Sequence, residues 1–180
     1  MTDWEAVVRD NVAAVQNTAY RLVGNHADAW DCVQETFLEA VKLERRESVR
    51  DWPALLRRVA TSRALDLLRA RARQRQRFSS EADPAMASGR EAEPPRQAEA
   101  NELAGRLRAA LRRLPGGQAE VFCLFSFEQL SCEEAAQQLG VSPSAARMLL
   151  SRARRRLQRL LGLSCGSAAK DRVKGDKGLQ

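Results

Sequence analysis

Apolar residues recur at three- and four-residue intervals along most of this chain, whereas the alternation typical of strands is nearly absent. The first such segment covers residues 3–23, and Gly24-Asn25 follows it as a pair that commonly ends a helix. The second covers about residues 28–42, where one apolar stripe is formed by Trp30, Val33, Phe37, Ala40 and Val41. The pattern therefore predicts an all-α protein.

A third helix is predicted to open at Asp51-Trp52-Pro53, after a polar loop at residues 44–51. Its inward positions are mostly aliphatic, and its outward positions are mostly arginines. At about residue 79 the composition changes, because prolines, small residues and glutamates replace the aliphatic residues. We expect a small helical domain at residues 1–78 and a flexible acidic linker at residues 79–102.

Helical periodicity returns in residues 103–161, which we expect to form a second small helical domain ending in a helix-turn-helix. Ser131 and Glu134 have the spacing of a capping box, and Gly140 suits the left-handed residue that ends a helix. Ser142-Pro143 is typical of a helix start, and the helix that follows would bury Ala146, Leu150, Ala153 and Leu157. The tail at residues 162–180 lacks periodicity, and we expect it to be disordered.

The outward side of that last helix predicts contact with duplex DNA. Its first turns would present Ser144, Arg147, Met148 and Ser151, and its second half would present Arg152, Arg154, Arg155 and Arg156. In a helix-turn-helix, the first turns of the second helix contact base edges, and cations further along contact phosphates. An ordinary helical hairpin with a solvated basic face is the alternative interpretation.

Charge is distributed in blocks that also favour a polyanionic partner. The net charge is +7, and residues 1–78 hold 14 basic and 11 acidic side chains. The linker holds 2 basic and 6 acidic side chains, and the remainder holds 14 and 6. Two basic segments around an acidic middle suit contact with nucleic acid at two places, because each neutralised phosphate releases counterions. Arginine-rich helices that only keep the protein soluble are the alternative.

Cysteine and histidine usage argues against a metal site. The four cysteines are scattered without a C-x-x-C pair, and His26 is the single histidine. We therefore expect no metal, no other cofactor and no disulfide framework. No apolar N-terminal segment resembles a signal peptide, and no run reaches the roughly 18 apolar residues of a membrane span. We expect a cytoplasmic protein without membrane insertion.

Acidic residues on the second predicted helix form a candidate contact surface. Asp28, Asp31 and Glu35 lie at i, i+3 and i+7 and so share one helix face, with Gln34 at its edge. Carboxylates in this arrangement could bind a hard metal ion or act in acid–base chemistry. No second acidic cluster completes such a site. We therefore expect no catalytic residues and no enzyme activity, and we interpret the surface as a protein-docking face. A solvated helix face is the alternative.

Three segments, in order, resemble the extracytoplasmic-function (ECF) sigma factors of the sigma-70 family. DAWDCVQETFLEA at 28–40 is similar to the family's D-A-E-D-x-x-Q-E-x-F-x-x-A. DWPALLRRVATSRALDLLRARAR at 51–73 is similar to the helix that follows, W-L-x-x-I-A-x-N-x-x-x-D-x-x-R. The third segment, at 111–161, is similar to the family's C-terminal domain, from L-P-x-x-x-R-x-V-F-x-L to S-R-A-R-x-x-L. The resemblance implies sigma domains two and four on either side of the linker.

The resemblance implies a sigma factor that binds core RNA polymerase, through the β′ clamp and the β subunit, and directs promoter-specific initiation. It assigns core binding to Asp28, Asp31, Gln34 and Glu35. It assigns contact with the melted −10 element to the loop at 44–51 and to Arg63, Arg69, Arg71 and Arg73. It assigns contact with the −35 element to Ser144, Ala145, Arg147, Met148, Arg152, Arg154 and Arg155. Promoter DNA and, by analogy, an anti-sigma factor are the other expected partners.

The chain departs from the family pattern at positions that bear on recognition. Trp30 replaces an acid, Ser62 stands where asparagine is usual, and Ala119 replaces a common arginine. In the recognition helix, Ala145-Ala146-Arg147-Met148-Leu149 replaces the frequent T-V-K-S-R. This segment has few bidentate hydrogen-bond donors, which favours contact with thymine methyl groups or recognition of DNA shape.

Two other function classes compete with a sigma factor. A stand-alone helix-turn-helix regulator would bind duplex DNA without polymerase, typically at a palindromic site. The sequence shows neither the coiled-coil heptads nor an obvious ligand cavity that such a regulator would use. An enzyme acting on DNA, such as a recombinase or nuclease, would need a convergent acid cluster or a nucleophile–base pair, and the sequence shows neither.

Overall fold

The computed structural model describes residues 2–46, 48–78 and 95–163, with the side chains of residues 78 and 95–98 excepted. These residues form helices joined by short turns and contain no strand. The all-α prediction is therefore confirmed. In chain order the helices are α1 Trp4–Val23, α2 His26–Glu44, α3 Trp52–Phe78, α4 Pro95–Leu111, α5 Gly116–Ser126, α6 Cys132–Leu139 and α7 Pro143–Leu161.

Local capping determines where the first two helices begin and end. The Asp3 carboxylate accepts a hydrogen bond from the Ala6 amide at 3.0 Å and so starts α1. Gly24 ends α1 in the left-handed conformation, at φ 82°. Asn25 then caps α2 by accepting from the Asp28 amide at 2.9 Å. Because of this cap, α2 begins two residues earlier than the periodicity predicts.

The start of the second domain differs from the prediction in two places. α4 begins at Pro95, whereas the periodicity predicts that helical structure resumes near residue 101. The run Pro115-Gly116-Gly117 predicts the end of the preceding helix. In the structure Pro115 is the N-cap of α5, so both glycines lie in the first turn of α5 and the break falls before them. α4 has already ended at Leu111. The remainder of the predicted linker, residues 79–94, and most of the tail lie outside the described residues.

Each half of the structure has a hydrophobic core of its own. Helices α1, α2 and α3 pack as a bundle around Val15, Val33, Ala40, Leu56 and Ala60. The rings of Trp4 and Trp52 close one end of this bundle edge to face, with their centroids 4.9 Å apart. Helices α5, α6 and α7 enclose a second core formed by Val121, Leu124, Ala135, Ala136, Ala146 and Leu150.

A third apolar cluster joins the two halves. It combines Leu22, Ala64 and Leu65 of the first bundle with Leu111, Leu114, Ala119, Cys123, Ala153 and Leu157 of the second. All of these side chains are at most 4% exposed. The helices α3 and α5 therefore pack directly against each other. No helix in the described part of the chain is long and apolar enough to cross a bilayer.

Candidate functional site

The predicted acidic docking face lies on the exposed side of α2. Asp31, Gln34 and Glu35 are all exposed, and together they line a groove of about 520 Å³ between α2 and α3. The opposite wall of the groove is formed by residues of α3, namely Arg63, Asp66, Leu67, Ala70 and Arg73. The groove therefore combines carboxylates, an amide and guanidinium groups along an apolar floor, which suits a protein partner.

The structure separates Asp28 from the other acids of this face. Asp28 is only 2% exposed, so its predicted place on one exposed face with Asp31 and Glu35 is wrong. Its carboxylate accepts a hydrogen bond from the side-chain amide (Nδ2) of Asn25 at 2.7 Å and forms an ion pair with Arg71. The cause is the helix start at residue 26, because a carboxylate in the first turn is held by the cap and by the helix dipole.

Trp30 lies on the outer surface of α2. It is 45% exposed, so its predicted place in the apolar core stripe is wrong. The apolar and hydroxyl side chains that α2 buries are Ala29, Cys32, Val33, Thr36 and Ala40, of which Val33 and Ala40 belong to the predicted stripe. Leu38, at 62% exposed, follows Trp30 by two helical turns and lines the same groove as Glu35. In the sequence, Leu38 is an apolar residue outside the predicted core stripe of α2, and this position is the signal that could have identified it.

The four arginines predicted to contact the −10 element all have defined positions on α3. Arg63 forms an ion pair with Glu39 of α2 at 3.0 Å. Arg69 donates to Asp66 at 3.2 Å and to the Leu114 carbonyl of the second domain at 3.4 Å. Arg71 is paired with Asp28, and Arg73 is exposed at the edge of the α2–α3 groove. The neighbouring Ser62 hydroxyl donates to Glu120 of α5 at 3.2 Å.

The helix-turn-helix has the local geometry that the sequence predicts. The Ser131 hydroxyl accepts from the Glu134 amide, and the Glu134 carboxylate accepts from the Ser131 amide, which completes the capping box. These hydrogen bonds lower the pKa of Glu134, with the bond from the Ser131 amide as the larger cause. Gly140 is left-handed at φ 65°, and Ser142 caps α7.

The recognition helix α7 buries one stripe of side chains and exposes most of its remaining surface. Its buried residues are the four predicted ones, Ala146, Leu150, Ala153 and Leu157. Six of the seven predicted −35 contacts are exposed, namely Ser144, Arg147, Met148, Arg152, Arg154 and Arg155. Ala145 is half-buried. The residues predicted for base edges and those predicted for phosphates therefore share one continuous surface.

Two arginines of this surface have partners that sequence reasoning missed. Arg147 forms an ion pair with Glu133 of α6, and both side chains are more than half exposed. The hydrogen bond from the backbone amide of Glu133 and the pair with Arg147 lower the pKa of the Glu133 carboxyl. The Arg154 guanidinium lies 4.8 Å from the ring centroid of Phe125, a cation–π contact with α5.

Cysteines and other metal-ligating side chains are scattered over the described residues. These residues contain no group of three or more His, Cys, Asp or Glu side chains that could hold a metal ion. Burial, aided by the nearby carboxylates, raises the pKa of Cys32 to about 11, and burial also raises the pKa of Cys123. Because thiolates are the reactive form, these two thiols are not poised as nucleophiles.

Two family descriptions match the chain, one for each half. Sigma-70 region 2 matches residues 7–74, and Sigma-70 region 4 matches residues 104–157. The chain is 32% identical over 158 residues to the ECF RNA polymerase sigma factor SigE of Mycolicibacterium smegmatis, covering 88% of this chain and 61% of that protein. It is 34% identical over 145 residues to the ECF RNA polymerase sigma factor SigJ of Mycobacterium tuberculosis, covering 78% of this chain and 46% of that protein.

One solved structure has a similar fold. It is the co-crystal structure of the sigma factor RpoE in complex with the anti-sigma factor NepR from Bartonella quintana. The TM-score is 0.53 at 25% sequence identity, and the match covers 91% of this chain and 99% of the other. The chain spans about three fifths and just under half of the lengths of the two curated relatives.

Proposed function

This chain belongs to the ECF sigma factors of the sigma-70 family, and from this premise we propose that it binds core RNA polymerase and directs promoter-specific initiation. One observation carries the proposal. The same chain presents an exposed acidic face on a region 2 helix and an exposed basic recognition helix in a region 4 helix-turn-helix. A polymerase specificity subunit needs both a protein-docking face and a surface for promoter DNA.

Core polymerase is proposed to dock on the groove between α2 and α3. Asp31, Gln34 and Glu35 would contact a basic and apolar helical surface of the β′ clamp, since carboxylates beside an apolar floor offer both charge and contact area. Asp28 supports this face indirectly, because its buried carboxylate joins the start of α2 to Arg71 of α3. The β subunit is proposed as a further contact.

Promoter DNA is proposed to contact the chain at two places. The loop at 44–51 and Arg63, Arg69, Arg71 and Arg73 would engage the melted −10 element, where cations follow a single-stranded backbone. On α7, Ser144, Ala145, Arg147 and Met148 would meet base edges of the −35 element, and Arg152, Arg154 and Arg155 would meet its phosphates. Ala145 and Met148 favour apolar contact with thymine methyl groups at the tip of this helix.

An anti-sigma protein and a cytoplasmic location complete the proposal. In the similar Bartonella quintana complex, an anti-sigma factor is bound to the sigma factor. We therefore propose that an anti-sigma factor also binds this chain. Bacterial RNA polymerase and promoter DNA are in the cytoplasm, and the proposed activity requires the chain to meet them there. The proposal includes no enzymatic step.

Run-off transcription from genomic DNA, with core polymerase and with or without this protein, tests the function. We expect new start sites only when the protein is added.

The double variant Asp31→Arg/Glu35→Arg should weaken core binding by about tenfold or more, because it places two cations against a basic partner. Glu5→Arg/Asp10→Arg is the matched control, since it makes the same charge change at two exposed residues of α1. The control should bind core polymerase like the parent protein.

The outcome also separates a sigma factor from a stand-alone regulator. A regulator would bind a specific duplex without polymerase and would produce no new start sites. If the Asp31/Glu35 variant binds core polymerase as well as the control does, the docking assignment on α2 is wrong. If no start sites appear although the protein binds core polymerase, promoter-directed initiation is wrong.

A further inference from the structure

Four arginines from two helices line a single cavity of the structure. Arg71 and Arg75 lie one turn apart on α3, and Arg108 and Arg112 lie one turn apart on α4. The cavity between these helices has a volume of about 230 Å³. Guanidinium groups from two directions therefore surround one small space.

The lining of this cavity has a formal net charge of +3, because Asp28 is its one carboxylate against four arginines. Asp28 is only 2% exposed and is already paired with Arg71. Like charges in a partly enclosed space repel each other, and the repulsion grows where protein replaces water around them. An anion inside the cavity would offset this repulsion.

The other three guanidinium groups have charge available for a ligand. Arg108 lies over Gly24, where an added Cβ would be 2.5 Å from the Arg108 Cζ atom, and its Nε donates to the carbonyl of Arg21 at 3.3 Å. This carbonyl is a neutral partner, so it positions Arg108 without compensating its charge. Arg75 and Arg112 make no hydrogen bond or ion pair with other described residues.

The size and the charge of the cavity together favour a compact, multiply charged oxyanion. Its volume is below the roughly 300–1,000 Å³ of sites for drug-sized ligands. Guanidinium groups bind phosphate oxygens through paired N–H donors, and a diphosphate has oxygens for arginines on two helices at once. Leu67, Leu68 and Ala109 line the same space, and apolar neighbours strengthen each charged contact.

We propose that this cavity binds a diphosphate group between α3 and α4, either as inorganic pyrophosphate or as part of a nucleotide. Arg75 and Arg112 bind its two ends from opposite walls, and Arg108 completes the site. The lining shares only Leu67 with the α2–α3 groove and no residue with the recognition surface of α7. The inference does not depend on the proposed promoter contacts, of which Arg71 alone lines the cavity.

Calorimetric titration of the full chain with inorganic pyrophosphate, at constant ionic strength, tests the site. We expect one ligand per chain. Orthophosphate and sulfate should bind at least about tenfold more weakly, because each is too short to reach both walls. Arg75→Ala/Arg112→Ala should reduce the affinity for pyrophosphate by about tenfold or more. Arg9→Ala/Arg156→Ala is the matched control, since it removes one exposed arginine from each domain outside the cavity, and it should bind like the parent protein.

A second pair of variants keeps all four arginines. Gly105 of α4 lines the cavity, and an added Cβ there meets no atom within 4 Å. Gly105→Glu brings a carboxylate to the cavity in place of the ligand, so it should reduce pyrophosphate affinity by about tenfold. Pyrophosphate should raise the melting temperature of the parent protein, because it binds only the folded chain, and should raise that of Gly105→Glu much less. Gly105→Gln has nearly the same size and helix propensity without the charge, and should keep more of the affinity.

Parallel titrations with adenosine and guanosine diphosphates identify the source of the diphosphate group. Tighter binding of either nucleotide than of pyrophosphate assigns the site to a nucleotide, and the reverse assigns it to inorganic pyrophosphate. Equal affinities of the parent protein and Arg75→Ala/Arg112→Ala for pyrophosphate would overturn the site. Orthophosphate that binds as tightly as pyrophosphate would also overturn it, since a general basic surface would then explain the binding. Initiation with core polymerase is measured separately, so failure of the sigma-factor function would leave these results unchanged.

Discussion

Helices α3 and α7 are both long and rich in arginine, yet their arginines have different surroundings. On α3, Arg63 and Arg71 are paired with carboxylates of α2, and Arg69 reaches a carbonyl of the other domain. On α7, the side chains of Arg152 and Arg155 are exposed, with no hydrogen bond or ion pair to other described residues. Residue type and helical spacing therefore do not show which arginines have partners within the fold and which face solvent.

The difference follows from how each helix is packed. α3 is covered by α1 and α2 on one side and by α5 on another, so most of its circumference meets protein. α7 lies over α4, α5 and α6 with a single buried stripe, so the rest of its surface meets solvent. Because α3 is covered on several sides, Arg63, Arg69 and Arg71 lie beside acids and carbonyls. On α7, Arg147 and Arg154 reach neighbouring helices, whereas Arg152 and Arg155 face solvent.

The largest expected effect concerns the buried leucines of the two helices. Leu65 of α3 is fully buried in the shared cluster, and Leu150 of α7 is buried in the core of the helix-turn-helix. Truncation of either to alanine should lower the free energy of unfolding by roughly 2–5 kcal/mol. Leu65→Ala should lower the stability of both domains, whereas Leu150→Ala should lower mainly the stability of the second domain.

Urea unfolding followed by two signals distinguishes these outcomes. All three tryptophans, Trp4, Trp30 and Trp52, lie in the first domain, so their fluorescence reports on that domain alone. Far-ultraviolet circular dichroism reports on all helices, so the two signals need not change together. Leu65→Ala should shift both transitions, and Leu150→Ala should shift the dichroism transition more than the fluorescence. Equal shifts for Leu150→Ala would show that the domains unfold as one unit.

A smaller effect is expected from single arginines of the two helices. Arg71→Ala leaves the buried Asp28 carboxylate with the Asn25 amide but without its guanidinium partner, and should cost about 1–3 kcal/mol of stability. Arg155→Ala should change stability by less than about 0.5 kcal/mol. It should instead reduce the slope of log K against log salt for promoter duplex binding by roughly 0.9.

The double variant Asp28→Asn/Arg71→Ala controls for the loss of the arginine itself. Because it removes the buried charge together with its partner, it should recover part of the stability that Arg71→Ala loses. If Arg155→Ala destabilises the fold as much as Arg71→Ala does, the two helices use their arginines in the same way and the comparison fails.

The smallest effect concerns acid sensitivity of the helix-turn-helix. The hydrogen bond from the Ser131 amide holds the pKa of Glu134 below its usual value. The stabilisation is therefore present above the unfolded-state pKa, roughly 4.3, and is lost as the pH falls through the lower folded-state pKa. Glu134→Gln keeps a hydrogen-bonding side chain, but it should reduce the dependence of the unfolding free energy on pH in this acidic range. Glu102→Gln, at an exposed residue of α4, should leave it unchanged when unfolding is measured at several pH values below about 6.

Much of the second domain could be predicted because its signals are local. The capping box at Ser131 and Glu134, the left-handed Gly140 and the buried stripe of α7 each depend on residues within one or two helical turns. The same logic failed at Trp30 and Asp28, because the cap at Asn25 moved the helix start and the packing of α1 and α3 determined which side of α2 is buried.

The helical class, the caps at Ser131 and Ser142, the two basic segments and the family pattern all follow from residue order and short-range spacing. Which arginines have partners, and how the two domains pack, depend on contacts between helices that are distant in the sequence. Arg71 meets Asp28 across 43 positions, and Thr18 meets Glu128 across 110. No periodicity records such pairs, because they arise when separate helices bury apolar surface against each other and bring distant polar groups within hydrogen-bonding distance.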